Sequence, residues 1–205
     1  MRRASFASFV SLGALLFVAA PLRAQEDRFL SAMEYSIAAP IGDSQRFGGG
    51  SWSGAAWEGR WMDHPHTSFG MLLGFNEFYH RQSGTFNFPS GAATGDQYRH
   101  LLAIPLLVTS HWYFTGSRDD PRWYVGGGGG VQYTEQIFQL GLDQRRRSNW
   151  GIVLVPEVGI AFSAWYATGG ILSLRYHLPT ESGGFLGSTD RRFQYVSLSF
   201  GFGYR

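Results

Sequence analysis

Few residues of this chain have the chemistry to act, and they are scattered. His64 and His66 flank Pro65 beside Asp63, the outline of a two-histidine metal pair; with one carboxylate nearby and a proline forcing the backbone round, the plainer reading is a solvated turn. Arg145, Arg146 and Arg147 are consecutive and offer planar forks that grip phosphate in pairs; their plainer reading is a solvated loop tip. His177, with Ser173, Ser182 and Glu181 close in sequence, supplies the parts of a Ser-His-acid set. The run Gly126 to Gly130 looks like a phosphate cradle, yet neither lysine nor a helical pattern follows it. It reads instead as a strand lacking side chains where another backbone comes close. Glu34, Glu58, Arg60, Glu157 and Arg175 stand at alternating positions among small groups, so whatever face they share must be wet or internally paired.

Composition removes whole classes of chemistry. No cysteine occurs, and the 17 basic residues include no lysine. Zinc-thiolate sites, cysteine nucleophiles, disulfides, P-loops and Schiff-base lysines are therefore excluded. Arg2 and Arg3 precede an apolar run from Phe6 to Ala20 and a break at Pro21, the layout of a secretory signal peptide, with cleavage expected after Ala24. Losing Arg2, Arg3 and Arg23 leaves 14 arginines against 15 acidic residues, a formal charge of −1, so the basic pI of the whole chain implies no nucleic-acid partner. Residues 25–205 form one domain, in which no apolar run reaches the length of a spanning helix.

What positions these residues is a set of period-two segments. In the last one, Val196, Leu198, Phe200, Phe202 and Tyr204 share one face, while Tyr195, Ser197, Ser199, Gly201 and Gly203 share the other. One face is large and apolar; the other is small or polar. The same contrast recurs from Leu30 to Ala39, Gly50 to Met62, Phe69 to His80, Leu102 to Phe114, Arg122 to Phe138, Trp150 to Ser163 and Leu172 to Leu178. Eight strands follow, with bulges expected at Pro105 and Pro156, where a ladder donor is missing. Their connections alternate in length: long at 40–49, 81–98, 140–149 and 180–191, short at 62–67, 115–121 and 165–168. An even number of antiparallel strands, tight turns at one end and long loops at the other describe a transmembrane barrel with its long loops outside the cell.

The chain resembles the eight-stranded outer-membrane β-barrel family of Gram-negative bacteria, the OmpA- and OmpX-like barrels. The resemblance is carried by the signal peptide, by Ile104-Pro105-Leu106-Leu107-Val108 leading to Trp112-Tyr113-Phe114, by Trp123-Tyr124-Val125 with its glycines, and by Phe200-Gly201-Phe202-Gly203-Tyr204. It implies an all-β, up-and-down antiparallel barrel whose terminal aromatic, Tyr204, is read by the barrel-assembly machinery. It also implies no single activity: adhesion, anchoring and small-solute passage all occur in the family. Lipopolysaccharide is the expected partner of Arg145, Arg146 and Arg147. Trp57, Trp61, Trp112, Trp123, Trp150 and Tyr204 are expected to anchor the two membrane interfaces.

An eight-stranded barrel is only just wide enough for its own side chains. The lumen is thus expected to be plugged, with Glu157 and Arg175 paired in a network that includes Glu34, Glu58 and Arg60. No cofactor and no catalysis are expected. Three alternatives stay open. A lipocalin-like soluble barrel, hinted at by Gly50-Ser51-Trp52, needs an apolar lumen and a polar exterior. A lipid A deacylase needs a His-x-Ser-Asn run, where this chain has His177-Leu178-Pro179-Thr180. A narrow channel needs an open lumen.

Overall fold

A computed structural model describes residues 29–88, 91–114, 121–141, 143–165, 168–180 and 192–204. The expected signal peptide, most of the turn at 115–121 and nearly all of the loop at 180–191 lie outside them. The described residues form eight strands: β1 (Phe29–Pro40), β2 (Ser51–His64), β3 (Thr67–Phe88), β4 (Gly91–Tyr113), β5 (Arg122–Leu140), β6 (Asp143–Trp165), β7 (Thr168–Pro179) and β8 (Tyr195–Tyr204). Each pairs antiparallel with its sequence neighbours, and β1 pairs with β8 from Ser31↔Tyr204 to Pro40↔Tyr195, closing the barrel. Closure leaves no edge in the ring, which the alternating pattern alone could not guarantee.

Inward and outward faces follow the period-two reading. Met33, Phe69, Met71, Val108, Ile152, Leu154, Leu174, Phe200 and Phe202 point outward in an exposed apolar belt. The opposite face of the same strands carries Glu34, Glu58, Arg60, Thr109, His111, Glu157, Ser173, Arg175 and Ser197, all buried. A polar interior inside an apolar exterior inverts the arrangement of a soluble barrel and removes the lipocalin alternative.

Two expected loops are strand instead. Most of 81–98 and of 140–149 continues β3, β4, β5 and β6: Arg81↔Tyr98 and Ser83↔Asp96 pair in one ladder, Phe138↔Arg145 and Gln136↔Arg147 in the other. The β5–β6 connection shrinks to a tight turn at Gly141, whose φ of +59° suits a residue without Cβ. These segments escaped a hydropathy reading for a physical reason. Above the belt both faces of a hairpin meet water, so apolar and polar residues no longer alternate. The last β2–β3 pair is Ser53↔Glu77 and the last β6–β7 pair is Val153↔Pro179, so β3 to β6 rise beyond their neighbours as a half-collar. Of the segment 40–49, Pro40 still pairs with Tyr195 and the rest leaves the ladder; it holds a 3₁₀ turn, η1 (Gly42–Phe47), ended by Gly48 at φ +86°.

The expected bulges at Pro105 and Pro156 are absent. Pro105 stays in register with Gln132 on one side, and on the other the ladder resumes unshifted, from Leu73↔Leu106 to Asn76↔Ala103. Around Pro156 it resumes likewise, from Leu154↔Leu178 to Glu157↔Arg175. The missing donor is absorbed by an unpaired stretch rather than an inserted residue. Irregularities lie instead at Ser36/Ala38, Met62/His64 and Ser163/Trp165, near the rims, where a twisting ring must bend.

Candidate functional site

The barrel interior holds the densest grouping of functional side chains among the described residues. Strand parity puts Glu58 and Arg60, two residues apart on β2, on the same inward face; β1 brings Glu34, β6 Glu157 and β7 Arg175 to the same level. The structure gathers all five. Arg175 reaches Glu157 Oε2 through Nε at 3.0 Å, Glu34 Oε2 through Nη1 at 2.6 Å, and Glu34 Oε1 and Glu58 Oε2 through Nη2 at 3.1 and 2.9 Å. Arg60 donates from Nη2 to Glu58 Oε2 at 2.9 Å and to Glu157 Oε1 at 3.0 Å. Each of the five is buried. Charges in such surroundings persist only when their partners hold them, as here.

Three further members of the cluster, Tyr113, Tyr124 and His111, are aromatic side chains that the alternation of charged residues does not single out. Tyr113 accepts from Arg60 Nη1 at 3.1 Å; Tyr124 accepts from Arg60 Nη2 at 2.9 Å and donates to Glu157 Oε1 at 2.7 Å, with the Arg60 guanidinium 4.4 Å from its ring centroid. His111 brings Nε2 to 3.5 Å from Glu58 Oε1 and 3.6 Å from Glu157 Oε2, while Nδ1 meets Ser68 Oγ at 3.2 Å. Alternation on β4 does place His111 and Tyr113 inward; what it cannot supply is which residue of another strand they meet. Glycines make the room: a Cβ at Gly126 would fall 2.6 Å from His111 Cδ2, and one at Gly159 would fall 2.4 Å from the Tyr124 hydroxyl.

Apolar layers flank the cluster. Towards the long connections, Phe47 from η1 and Phe193 ahead of β8 pack with Phe78, Leu101 and Tyr195. Towards the short turns, Leu30, Tyr113, Tyr124, Ala161 and Ile171 form another layer, with Met62 against it. Phe78 meets Phe193 at 4.8 Å and Tyr195 at 5.2 Å, both edge to face, the arrangement aromatic rings favour.

The other candidates are placed as follows. Trp61, Trp112, Trp123 and Tyr204 face outward near the short-turn end; Trp150 faces outward near the other end, 5.2 Å from Tyr133. Trp57 sits within the belt between Met33 and Leu73, donating Nε1–H to Ser31 Oγ at 2.9 Å. Arg145, Arg146 and Arg147 do not form a loop tip. They lie on β6, so successive side chains take opposite faces, and Arg146 is gripped by Glu135 through Nε–Oε1 at 2.7 Å and Nη2–Oε2 at 2.8 Å. The contact with Glu135 holds the Arg146 guanidinium above its ordinary value. His64 and His66 stack at 5.9 Å, His66 stacks on Trp112 at 6.0 Å, and its Nδ1 lies 2.9 Å from the Tyr113 carbonyl. His177 faces the lumen, stacked on Tyr195 at 4.1 Å with Nε2 3.1 Å from Ser197 Oγ. A deacylase histidine has to reach lipid on the outer face; this one is enclosed.

No protein-family model matches the chain, and no curated protein matches it. Solved structures do. Neisserial surface protein A is similar at 12% identity over 86% of this chain and 96% of that one, with a TM-score of 0.55. Ail, the attachment invasion locus protein of Yersinia pestis, is similar at 12% identity over 87% and 98%, with a TM-score of 0.53. The fold is that of the eight-stranded outer-membrane β-barrels.

Proposed function

We propose that the mature chain, residues 25–205, is an integral outer-membrane protein with a lumen closed to solutes, acting as a structural or surface-interaction protein through its extracellular side. The observation behind this is the pairing of an exposed apolar belt with an interior cross-linked by Arg60 and Arg175 between aromatic layers. Such a belt is stable only in lipid. The refolded chain in planar bilayers should give no steady conductance above the lipid baseline; regular open steps would make it a narrow channel instead.

The half-collar of β3 to β6 supplies the surface. Its outer side carries Tyr79 and Tyr98 at 6.3 Å, the Arg81–Asp96 pair and the Arg146–Glu135 pair, so the partners it suits are polar and extended rather than apolar. The attachment protein among the structural neighbours makes adhesion a natural use of such a collar. Arg145, Arg146 and Arg147 have the fork geometry that suits lipopolysaccharide phosphates. Vesicles containing lipopolysaccharide should raise the unfolding midpoint above that in phospholipid alone, and replacing all three by Gln should remove the difference; an unchanged difference would clear these arginines of the role. Catalysis has no place in this reading: His177 and Ser173 are enclosed in the lumen.

A further inference from the structure

We propose that Glu58, His111 and Glu157 form a binding site for a divalent transition-metal ion, of the Zn²⁺ kind, within the lumen. It rests on the interior geometry alone and is independent of what the collar binds. One ligand atom from each residue lies within 4.8 Å of the others, and all three residues are buried. His111 Nε2 stands 3.5 Å from Glu58 Oε1 and 3.6 Å from Glu157 Oε2. Ligands placed tetrahedrally around an ion at about 2.0–2.1 Å lie roughly 3.3–3.4 Å apart, so the two edges from His111 are within a few tenths of an ångström of that spacing, and the Glu58–Glu157 edge lies within 4.8 Å.

Two of the three atoms that would bind make no hydrogen bond in the protein as it stands, while the third, Glu157 Oε2, accepts from Arg175 Nε at 3.0 Å. His111 Nε2 and Glu58 Oε1 are buried without a hydrogen-bond partner, although each is aimed at the other. Arg60 Nε lies 2.8 Å from Glu58 Oε1 yet is itself unpartnered, so it is not aligned to donate. The remaining carboxylate oxygens are engaged: Glu58 Oε2 by Arg60 and Arg175, Glu157 Oε1 by Tyr124 and Arg60. Those contacts fix both carboxylates so that their other oxygens face the imidazole. Ser68 Oγ at 3.2 Å from His111 Nδ1 sets the ring, and edge-to-face contact with Tyr124 at 5.3 Å and 84° supports it; oriented outer partners of this sort accompany metal-binding histidines generally.

Charge limits the affinity, and ligand type narrows the occupant. Glu34, Glu58 and Glu157 are matched by Arg60, Arg175 and the buried Arg122, whose guanidinium lies 4.7 Å from the Tyr113 ring centroid, so these six groups balance formally. A divalent ion adds positive charge beside Arg60 and Arg175, which hold the affinity down. One imidazole with two carboxylates suits Zn²⁺, Co²⁺ or Ni²⁺, whereas Ca²⁺ and Mg²⁺ require six or more oxygens.

The test is Co²⁺ titration of the refolded chain in detergent after chelator treatment, followed by visible absorption. One saturating equivalent with tetrahedral-type bands, displaced by Zn²⁺ and unaffected by excess Mg²⁺, is expected. His111→Phe should weaken binding by at least about 100-fold and Ser68→Ala by about 10-fold, while His64→Asn with His66→Asn leaves it unchanged. If His111→Phe does not fold, judged by heat-dependent gel mobility, Glu58→Gln removes a ligand at constant volume and should give the same loss. Absence of a saturable spectrum, or unchanged affinity in His111→Phe or Glu58→Gln, overturns the site.

Discussion

Arg175 is the residue on which the interior converges. Its guanidinium meets carboxylates from β1, β2 and β6, with Glu34 engaged through both of its oxygens. Side-chain exposure is 2% for Arg175 and 2% for Glu157, so water screens the pair little. Removing one member of a buried pair costs about 3–5 kcal/mol, largely because the survivor stays charged and unpartnered. Arg175→Met, which leaves Glu34 without a guanidinium and takes one of two from Glu58 and Glu157, should therefore cost more than Glu157→Gln, and the double variant less than their sum. Urea unfolding in lipid vesicles as a double-mutant cycle measures this; additive losses would show that the two do not act together. A second residue-scale expectation concerns the collar. Asp96 is held below the usual aspartate value by the Ser83 hydroxyl first and the Arg81 guanidinium next, at 2.5 and 2.6 Å. A depressed carboxyl contributes stability above its unfolded value and loses it as pH falls through the lower folded value. Amide exchange of the β3–β4 hairpin should accordingly quicken as pH drops below about 3.9, the ordinary aspartate value, and Asp96→Asn should remove that dependence.

At the scale of the element, β5 is the strand whose sequence looks least like a strand. Its five consecutive glycines are not equivalent. A Cβ at Gly130 would lie 2.0 Å from the Leu106 carbonyl oxygen and one at Gly126 would lie 2.4 Å from that of Ser110, whereas at Gly129 the nearest atom is Leu154 Cδ2 at 3.5 Å. Gly126→Ala and Gly130→Ala should each cost about 1–3 kcal/mol or more through overpacking against backbone that cannot withdraw. Gly129→Ala should stay within about 0.5 kcal/mol; unfolding midpoints of the three variants decide, and equal costs would deny the steric account. The sequence showed that this run must permit close approach, because it sits between Trp123-Tyr124-Val125 and Val131-Gln132-Tyr133. Which glycines are crowded depends on the tilt and register of β4 and β6, which no single strand encodes.

For the whole molecule, the closed ring and its apolar belt lead to an expectation about solubility and unfolding. The mature chain should resist extraction by carbonate and should migrate differently in detergent gels with and without boiling, since every strand of a closed barrel must separate together. Identical migration together with carbonate release would argue against a membrane barrel. The same closure brings Glu34 near the start of the ladder to Arg175 near its end, 141 positions apart, a contact that exists only because β1 pairs with β8.

The sequence by itself determined strand number, inward and outward faces, and the inward placement of Glu34, Glu58, Arg60, Glu157 and Arg175, because lipid outside and polar groups inside impose a period of two wherever the wall crosses the belt. It did not determine the collar or the ends of β3 to β6, because that constraint ends where both faces meet water. Nor did it determine that His111, Tyr113 and Tyr124 join the charges, or that Arg145, Arg146 and Arg147 part to opposite faces. Those outcomes follow from strand register and barrel closure, which bring side chains from distant strands to one level. They are properties of the ring rather than of any segment in it.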